Sequence, residues 1–307
     1  MSKEFRQAIW DDSLERDCTA LVRQAIEEDL GTQGDWTTVA LVPAGATGRA
    51  EVVARSPGVV AGLAAIPTLV ALIDPQLRWT SDAKDGQAVA KGDCVGVIEG
   101  PVRGMLAAER ILLNFLGRLS GVATLTRRYV DAVAGTAAKI YDTRKTTPGW
   151  RKLEKYAVRC GGGTNHRGGL NEAVLIKDNH LAFGKLAADD AQQYTPAEAV
   201  LKARRYVAEH GCPTMIVEVE VDTLEQLDNV LPVKPDIVLL DNMKPDRLRE
   251  AVERRNVVDR AIELEASGGV DLTTVRAIAE SGVDRISVGA LTHSAVGLDF
   301  GLDWAEA

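Results

Sequence analysis

The sequence predicts an α/β protein: a small sheet-bearing N-terminal part, then a parallel and incomplete barrel. Three observations predict it. Past residue 135, short apolar β-like runs alternate with helical ones. The last four runs, centred on Val217, Leu239, Leu264 and Val288, recur roughly every 22–25 residues, the spacing of a βα unit. Glycines placed to hold phosphate come late in the chain, whereas a doubly wound sheet usually carries them after its first strand. Over residues 48–63 and 77–104 the chain is β-branched and punctuated by glycine, as in Gly48-Arg-Ala-Glu-Val-Val-Ala-Arg-Ser-Pro-Gly-Val-Val-Ala-Gly62.

Each element follows from its local pattern. Leu21, Val22, Ala25, Ile26 and Leu30 fall at helical spacing, and Gly31 ends the run, so a helix is expected over residues 16–30. Residues 48–63 and 77–104 form the small sheet, with a helix at Ile66–Ile73. No catalytic constellation lies there, so this part reads as scaffold or interface. Residues 106–133 make the longest helix, with a wide apolar face from Leu112, Leu113, Phe115, Leu116, Leu119, Val122 and Leu125. Arg110, Asn114 and Arg118 share one stripe of it, either a wet edge or the flank of a carboxylate pocket. Strands are expected at Ala138–Arg144, Ala173–Asp178, Met215–Asp222, Ile237–Asn242, Ile262–Ser267 and Arg285–Leu291, with room for one more. Helices are expected at Pro196–Glu209, Pro245–Arg255 and Leu272–Ser281.

At 307 residues, 46% hydrophobic and 26% charged, the chain is long enough to bury a core without staples. No run of about 18 apolar residues predicts a membrane span, and the start lacks the apolar stretch of a secretory signal. Cys18, Cys94, Cys160 and Cys212 are scattered, which argues against a zinc cage or disulfide framework and for a reducing cytoplasm. The net charge of −8 argues against a nucleic-acid binder. Yet Arg103–Lys177 holds 14 basic and five acidic residues, a net +9, leaving −17 for the rest. A basic middle in an acidic chain suggests a local site for an anionic small molecule; solvated helix faces are the bland alternative.

In a parallel barrel the working residues sit at strand ends. Here those ends read Asp142-Thr143-Arg144-Lys145-Thr146, Lys177-Asp178-Asn179-His180, Asp241-Asn242, Ser267-Gly268-Gly269 and Ser287-Val288-Gly289-Ala290. Period-two alternation places Glu218, Glu220 and Asp222 on one face. Three interior carboxylates need cations, either a metal or neighbouring Lys and Arg, and an internal salt-bridge network is the other reading. The two glycine turns suit phosphate, because bare N–H groups there can grip its oxygens. The loop Cys160–Leu170 carries five glycines and His166-Arg167 beside the other cations, and arginine's fork suits carboxylates. No Ser/His/Asp or Cys/His set is present. A sugar-phosphate reaction fits; a non-catalytic phosphate sensor and a nucleic-acid module fit less well.

Several blocks resemble a known family along nearly the whole chain. They include Ala108-Glu-Arg-Ile-Leu-Leu-Asn-Phe-Leu, Asp142-Thr-Arg-Lys-Thr-Thr-Pro-Gly, Lys155-Tyr-Ala-Val-Arg-Cys-Gly-Gly-Gly and Asn165-His-Arg. Further along come Leu175-Ile-Lys-Asp-Asn-His, Glu218-Val-Glu-Val-Asp, Leu239-Leu-Asp-Asn-Met and Glu265-Ala-Ser-Gly-Gly. The family is quinolinate phosphoribosyltransferase, also called nicotinate-nucleotide pyrophosphorylase (carboxylating). The resemblance implies that quinolinate and phosphoribosyl pyrophosphate give nicotinate mononucleotide, pyrophosphate and CO₂, with Mg²⁺, in NAD biosynthesis. It implies an open-faced α/β sandwich over residues 1–117, a seven-stranded incomplete α/β barrel over 118–290 and a C-terminal segment over 291–307. It also implies a homodimer with shared active sites, Arg110 reaching into the partner's barrel. Arg110, Thr143, Arg144, Lys145, His166, Arg167 and Lys177 would line the quinolinate and pyrophosphate pocket. Glu220 and Asp241 would face the ribose hydroxyls and the metal, acting in catalysis with Lys145 and Lys177. Ser267, Gly268, Gly269, Val288, Gly289 and Ala290 would hold the 5′-phosphate. Glu218 and Asp222 gain no support from the resemblance and stay outside the expected site. The nearest rival is a same-fold phosphoribosyltransferase with another acceptor, such as the molybdenum-transport-associated homologues.

Overall fold

Side-chain caps set the first boundaries. Asp11 accepts the Leu14 N–H and starts α1 (Asp12–Leu30), four residues before the apolar periodicity begins, and Asp35 caps α2 (Trp36–Leu41) in the same way. The computed structural model describes residues 3–184 and 193–304. After α2 come β1 (Thr47–Ala54), β2 (Gly58–Val59), α3 (Ile66–Ile73), β3 (Arg78–Thr80), β4 (Ala88–Val89), β5 (Cys94–Pro101) and the long α4 (Val102–Ala132). Then follow β6 (Lys139–Tyr141), α5 (Arg151–Cys160), β7 (Val174–Ile176), α6 (Asp178–Phe183), α7 (Pro196–Glu209), β8 (Val217–Val221) and α8 (Leu224–Val230). The chain continues through β9 (Ile237–Asp241), α9 (Pro245–Val258), β10 (Glu263–Ser267), α10 (Val275–Ala279), β11 (Arg285–Ser287), α11 (Ala290–His293) and β12 (Phe300–Trp304).

Three expectations are corrected in detail. The run Arg285–Leu291 is strand only to Ser287, because a helix starts at Ala290. The helix expected at Leu272–Ser281 shortens to Val275–Ala279, because the Asp271 carboxylate takes the Thr273 and Thr274 N–H groups into a turn first. Asp222 lies beyond the end of β8 and is exposed, so it is not enclosed in the interior as Glu218 is, although with Glu220 it lines a cavity at the strand end.

The described residues divide into two compact units. One comprises residues 7–128, 145–163 and 290–304; the other, residues 3–6, 129–144 and 164–289. The first carries an antiparallel sheet in the order β12-β1-β5-β3. Its inward residues, among them Ala50, Val52 and Ile98, are fully or almost fully buried, and α4 buries Leu112, Phe115, Leu116, Leu119 and Val122. At about 25 cal/mol per Å² of apolar surface, each such aliphatic side chain stabilises the fold by roughly 1.5–3 kcal/mol.

The second unit is a parallel sheet in the order β6-β11-β10-β9-β8-β7. Thr164 bridges Tyr141 in parallel on the far side of β6, the trace of a seventh strand, and no assigned pairing joins it to β7. This is an incomplete barrel. The register pairs Glu265 with Leu239 and Arg285, and Ser267 with Asp241, so the chemical residues stack in layers along the interior. Residues 3–6 cover the end where these strands begin. Phe5 packs with Ala173, Ile216 and Ile237; Glu4 takes hydrogen bonds from Lys139 (2.6 Å) and the Tyr141 hydroxyl (2.9 Å). The buried Arg285 guanidinium pairs with Glu263 and lies over the Phe5 and Tyr141 rings. Among the described residues no helix is long and apolar enough to cross a membrane.

Candidate active site

The opposite ends of the same strands carry a second set of charges. After β6, the buried Asp142 accepts the Asn165 amide (2.6 Å) and the His166 N–H (2.8 Å), locking the 165–167 segment beside the first strand end. Arg167 is buried, and one of its NH groups donates to the Ala173 carbonyl at 2.8 Å. The Nε atoms of both Arg144 and Arg167 are buried without a hydrogen-bond partner. Burial first, and the Arg144 charge second, hold the Arg167 guanidinium below its ordinary pKa. Two like charges with unused donors are costly to keep together unless an anion is bound between them.

Next along the sheet edge, Lys177 pairs with Glu220. Burial raises the Glu220 pKa most; Lys177 opposes this, and the charges of Asp241 and Asp178 raise it further. A cavity of about 240 Å³, lined in part by Asp178, Asn179, Glu220 and Asp222, opens there. Asp241 ends β9 and accepts the Asn242 side-chain amide at 2.7 Å. Asn242 itself sits at φ +53°, where its N–H reaches the Ser267 carbonyl at 2.8 Å. Gly268 and Gly269 follow at φ +91° and +60°, and a Cβ on Gly268 would overlap the Asn242 side chain. Val288 donates its N–H to the Tyr141 carbonyl at 2.9 Å, which leaves Val288 no backbone donor for a phosphate.

Thus Thr143, Arg144, His166, Arg167, Lys177, Glu220, Asp241, Ser267, Gly268, Gly269, Val288 and Gly289 all belong to the barrel unit, and Arg110, Lys145 and Ala290 to the sheet unit. In the sheet unit, Lys145 is exposed and its carbonyl accepts from the Thr292 hydroxyl at 2.7 Å. Arg110 is exposed on α4. Arg118, from the same stripe, turns inward instead. It pairs with the fully buried Glu154, and its guanidinium also meets the carbonyls of Thr292 and Ala295. For Arg118, neither the wet edge nor the carboxylate pocket holds; it is an internal strut.

Sequence reasoning missed one cluster. Glu218 and Glu265 are fully buried, and His166 Nε2 lies 3.1 Å from the first and 3.5 Å from the second. The three donor atoms lie within 4.8 Å of one another, a set that could hold a cation. The other ring nitrogen argues otherwise. Nδ1 accepts the Arg167 N–H at 2.8 Å, so a neutral ring carries its proton on Nε2, the atom facing the carboxylates, with no lone pair for a metal. Burial first, and the Glu218 charge second, raise the Glu265 carboxyl far above its ordinary range. The available signal was that period two puts Glu265 on the same interior face as Glu263 and Ser267.

An open barrel with buried, unused arginine donors, a paired Lys177–Glu220 and glycine turns at its strand ends defines the class: an enzyme built to handle a sugar phosphate and a second anion. Comparison with known proteins narrows it. Residues 35–120 match the model for the N-terminal domain of quinolinate phosphoribosyl transferase, and residues 122–303 that for its C-terminal domain. The nicotinate-nucleotide pyrophosphorylase (carboxylating) of Mycobacterium leprae is 43% identical over 287 residues, covering 92% of this chain and 95% of that protein. The probable nicotinate-nucleotide pyrophosphorylase (carboxylating) of Bacillus subtilis is 41% identical, covering 90% and 89%. The solved nicotinate-nucleotide pyrophosphorylase of Francisella tularensis superimposes with a TM-score of 0.87 at 34% identity, covering 98% of this chain and all of that one. The chain belongs to the quinolinate phosphoribosyltransferase family.

Proposed function

We propose that this chain catalyses decarboxylating phosphoribosyl transfer in NAD biosynthesis, from quinolinate and phosphoribosyl pyrophosphate to nicotinate mononucleotide, pyrophosphate and CO₂. The observation that carries the reading is the pair of buried, partnerless Nε donors on Arg144 and Arg167, beside Lys177 and a glycine turn. That is a site for a dicarboxylate next to a sugar phosphate.

The pyridine nitrogen bonds to ribose C1 as the C1–O bond breaks and pyrophosphate leaves with that electron pair. Glu220 and Asp241 face the ribose and stabilise the positive charge that develops on it. Lys177 holds the anions in line, and the glycine turns with Ser267 hold the 5′-phosphate. The N-ribosyl pyridinium then loses its 2-carboxylate as CO₂. The electron pair left on carbon is stabilised by the adjacent positive nitrogen until a solvent proton replaces it. Mg²⁺ fits Glu220 and Asp241, two oxygen donors whose charges interact, and when bound it would neutralise the leaving pyrophosphate.

The working form is a homodimer in a reducing cytoplasm, Arg110 completing the partner's site. Its exposed side chain and the exposed Trp36, Val39 and Leu41 of the same unit support this. The functional division is residues 1–117, 118–290 and 291–307. Incubation with quinolinate, phosphoribosyl pyrophosphate and Mg²⁺ is expected to yield nicotinate mononucleotide and CO₂ together, with no product from nicotinate. Turnover of nicotinate instead would overturn the acceptor assignment.

A further inference from the structure

The mechanism above leaves the buried cluster inside the barrel without a task. The His166 ring is held on three sides. Its Nε2 lies 3.1 Å from Glu218 and 3.5 Å from Glu265, close polar contacts rather than aligned hydrogen bonds, since the oxygens of both carboxylates are buried without a hydrogen-bond partner; its Nδ1 accepts the Arg167 backbone N–H, and the Phe5 ring packs on it with centroids 4.4 Å apart. Turning the ring over would present carbon to all three polar groups, so one orientation is strongly favoured. Both ring nitrogens thus point at protein, and the residue they tie down is Arg167. The charges of Arg285 on β11, toward Glu265, and of Arg167, toward Glu218, offset only part of the cost of burying the two carboxylates.

We propose that Glu218 and Glu265 are positioning residues: they confine the His166 ring from inside the barrel, and the ring, through the Arg167 backbone N–H, fixes the backbone that carries the guanidinium receiving an acceptor carboxylate. This rests on the acceptor reading above. It changes the expected part of His166 from a substrate contact to a strut behind Arg167.

Two conservative variants separate geometry from charge. Glu218→Gln keeps the length and an oxygen beside Nε2, whereas Glu218→Asp keeps the charge and withdraws that oxygen by about 1.5 Å, one C–C bond. Glu218→Gln is expected within about threefold of wild type, and Glu218→Asp to raise the quinolinate KM about tenfold with the phosphoribosyl pyrophosphate KM unchanged. The reverse ranking, Asp active and Gln inactive, would show that charge or a metal matters and overturn the proposal. Nitrogen-15 spectra of the ring, taken without substrate, are expected to show a neutral His166 protonated on Nε2. A doubly protonated or metal-bound ring would overturn it equally. Wild-type turnover tests the acceptor reading and the ring tautomer tests the strut, so the two fail separately.

Discussion

Replacing Glu154 by Ala should destabilise the sheet unit by an amount its contacts set. Glu154 is fully buried and accepts from Arg118 Nε (3.1 Å), the Thr147 N–H (3.1 Å) and the Thr147 hydroxyl (2.8 Å). Breaking a buried ion pair by removing one partner costs about 3–5 kcal/mol, because the other charge is left behind. Arg118 is 26% exposed and keeps its carbonyl partners on Thr292 and Ala295, which places the cost near the lower figure, about 3 kcal/mol. At about 2.1 cal/mol/K of unfolding entropy per residue, 307 residues give about 0.6 kcal/mol/K, hence a Tm lowered by about 5 °C. If the sheet unit melts alone, the shift about doubles, since it holds roughly half the chain. Scanning calorimetry of wild type, Glu154→Ala and Glu154→Gln measures it, and Gln, which keeps the acceptor for Thr147, should fall between. A Glu154→Ala Tm within about 1 °C of wild type would refute the reasoning, because the pair would then behave like a solvated surface bridge.

Arg167→Ala should raise the quinolinate KM ten- to a hundredfold, the ~1.5–3 kcal/mol of a hydrogen bond to a charged group, with the phosphoribosyl pyrophosphate KM little changed; steady-state kinetics decide. Gly268→Ala should cost about 1–3 kcal/mol in backbone strain and displace Asn242, so calorimetry should show weaker phosphoribosyl pyrophosphate binding while quinolinate binding survives. Glu265 has a folded pKa raised above the ordinary 4.5, first by burial and then by Glu218, so its contribution to stability is whole below that value and is lost as pH rises through the folded pKa. The Tm of Glu265→Gln should therefore gain on that of wild type between pH 5 and pH 8, by about 1 °C or more; a gap that stays constant with pH would contradict this.

The barrel's chemical edge was readable because its signals are local. Period two and the βα repeat follow from the geometry of neighbouring residues, so Arg144, Lys177, Asp241 and Ser267 fall at strand ends on pattern alone. Short helices were not readable. α2, α6 and α8 have six or seven residues each, too few to show a period, and α5 lies in a run of charges where Leu153, Ala157 and Val158 are its main apolar mark.

The sequence by itself determined the α/β class, the order of the barrel strands and which charged residues stand at their ends. Tertiary structure alone decided that β12, at residues 300–304, completes the sheet beside β1, that Arg118 turns inward to Glu154 while Arg110 faces outward, and that Glu218, Glu265 and His166 meet in the barrel. The reason is the same in each case. A local pattern records how one residue's backbone orients the next. A pairing between residues far apart in the chain depends on strand register, on which side of a strand is enclosed, and on which buried polar atoms remain to be matched.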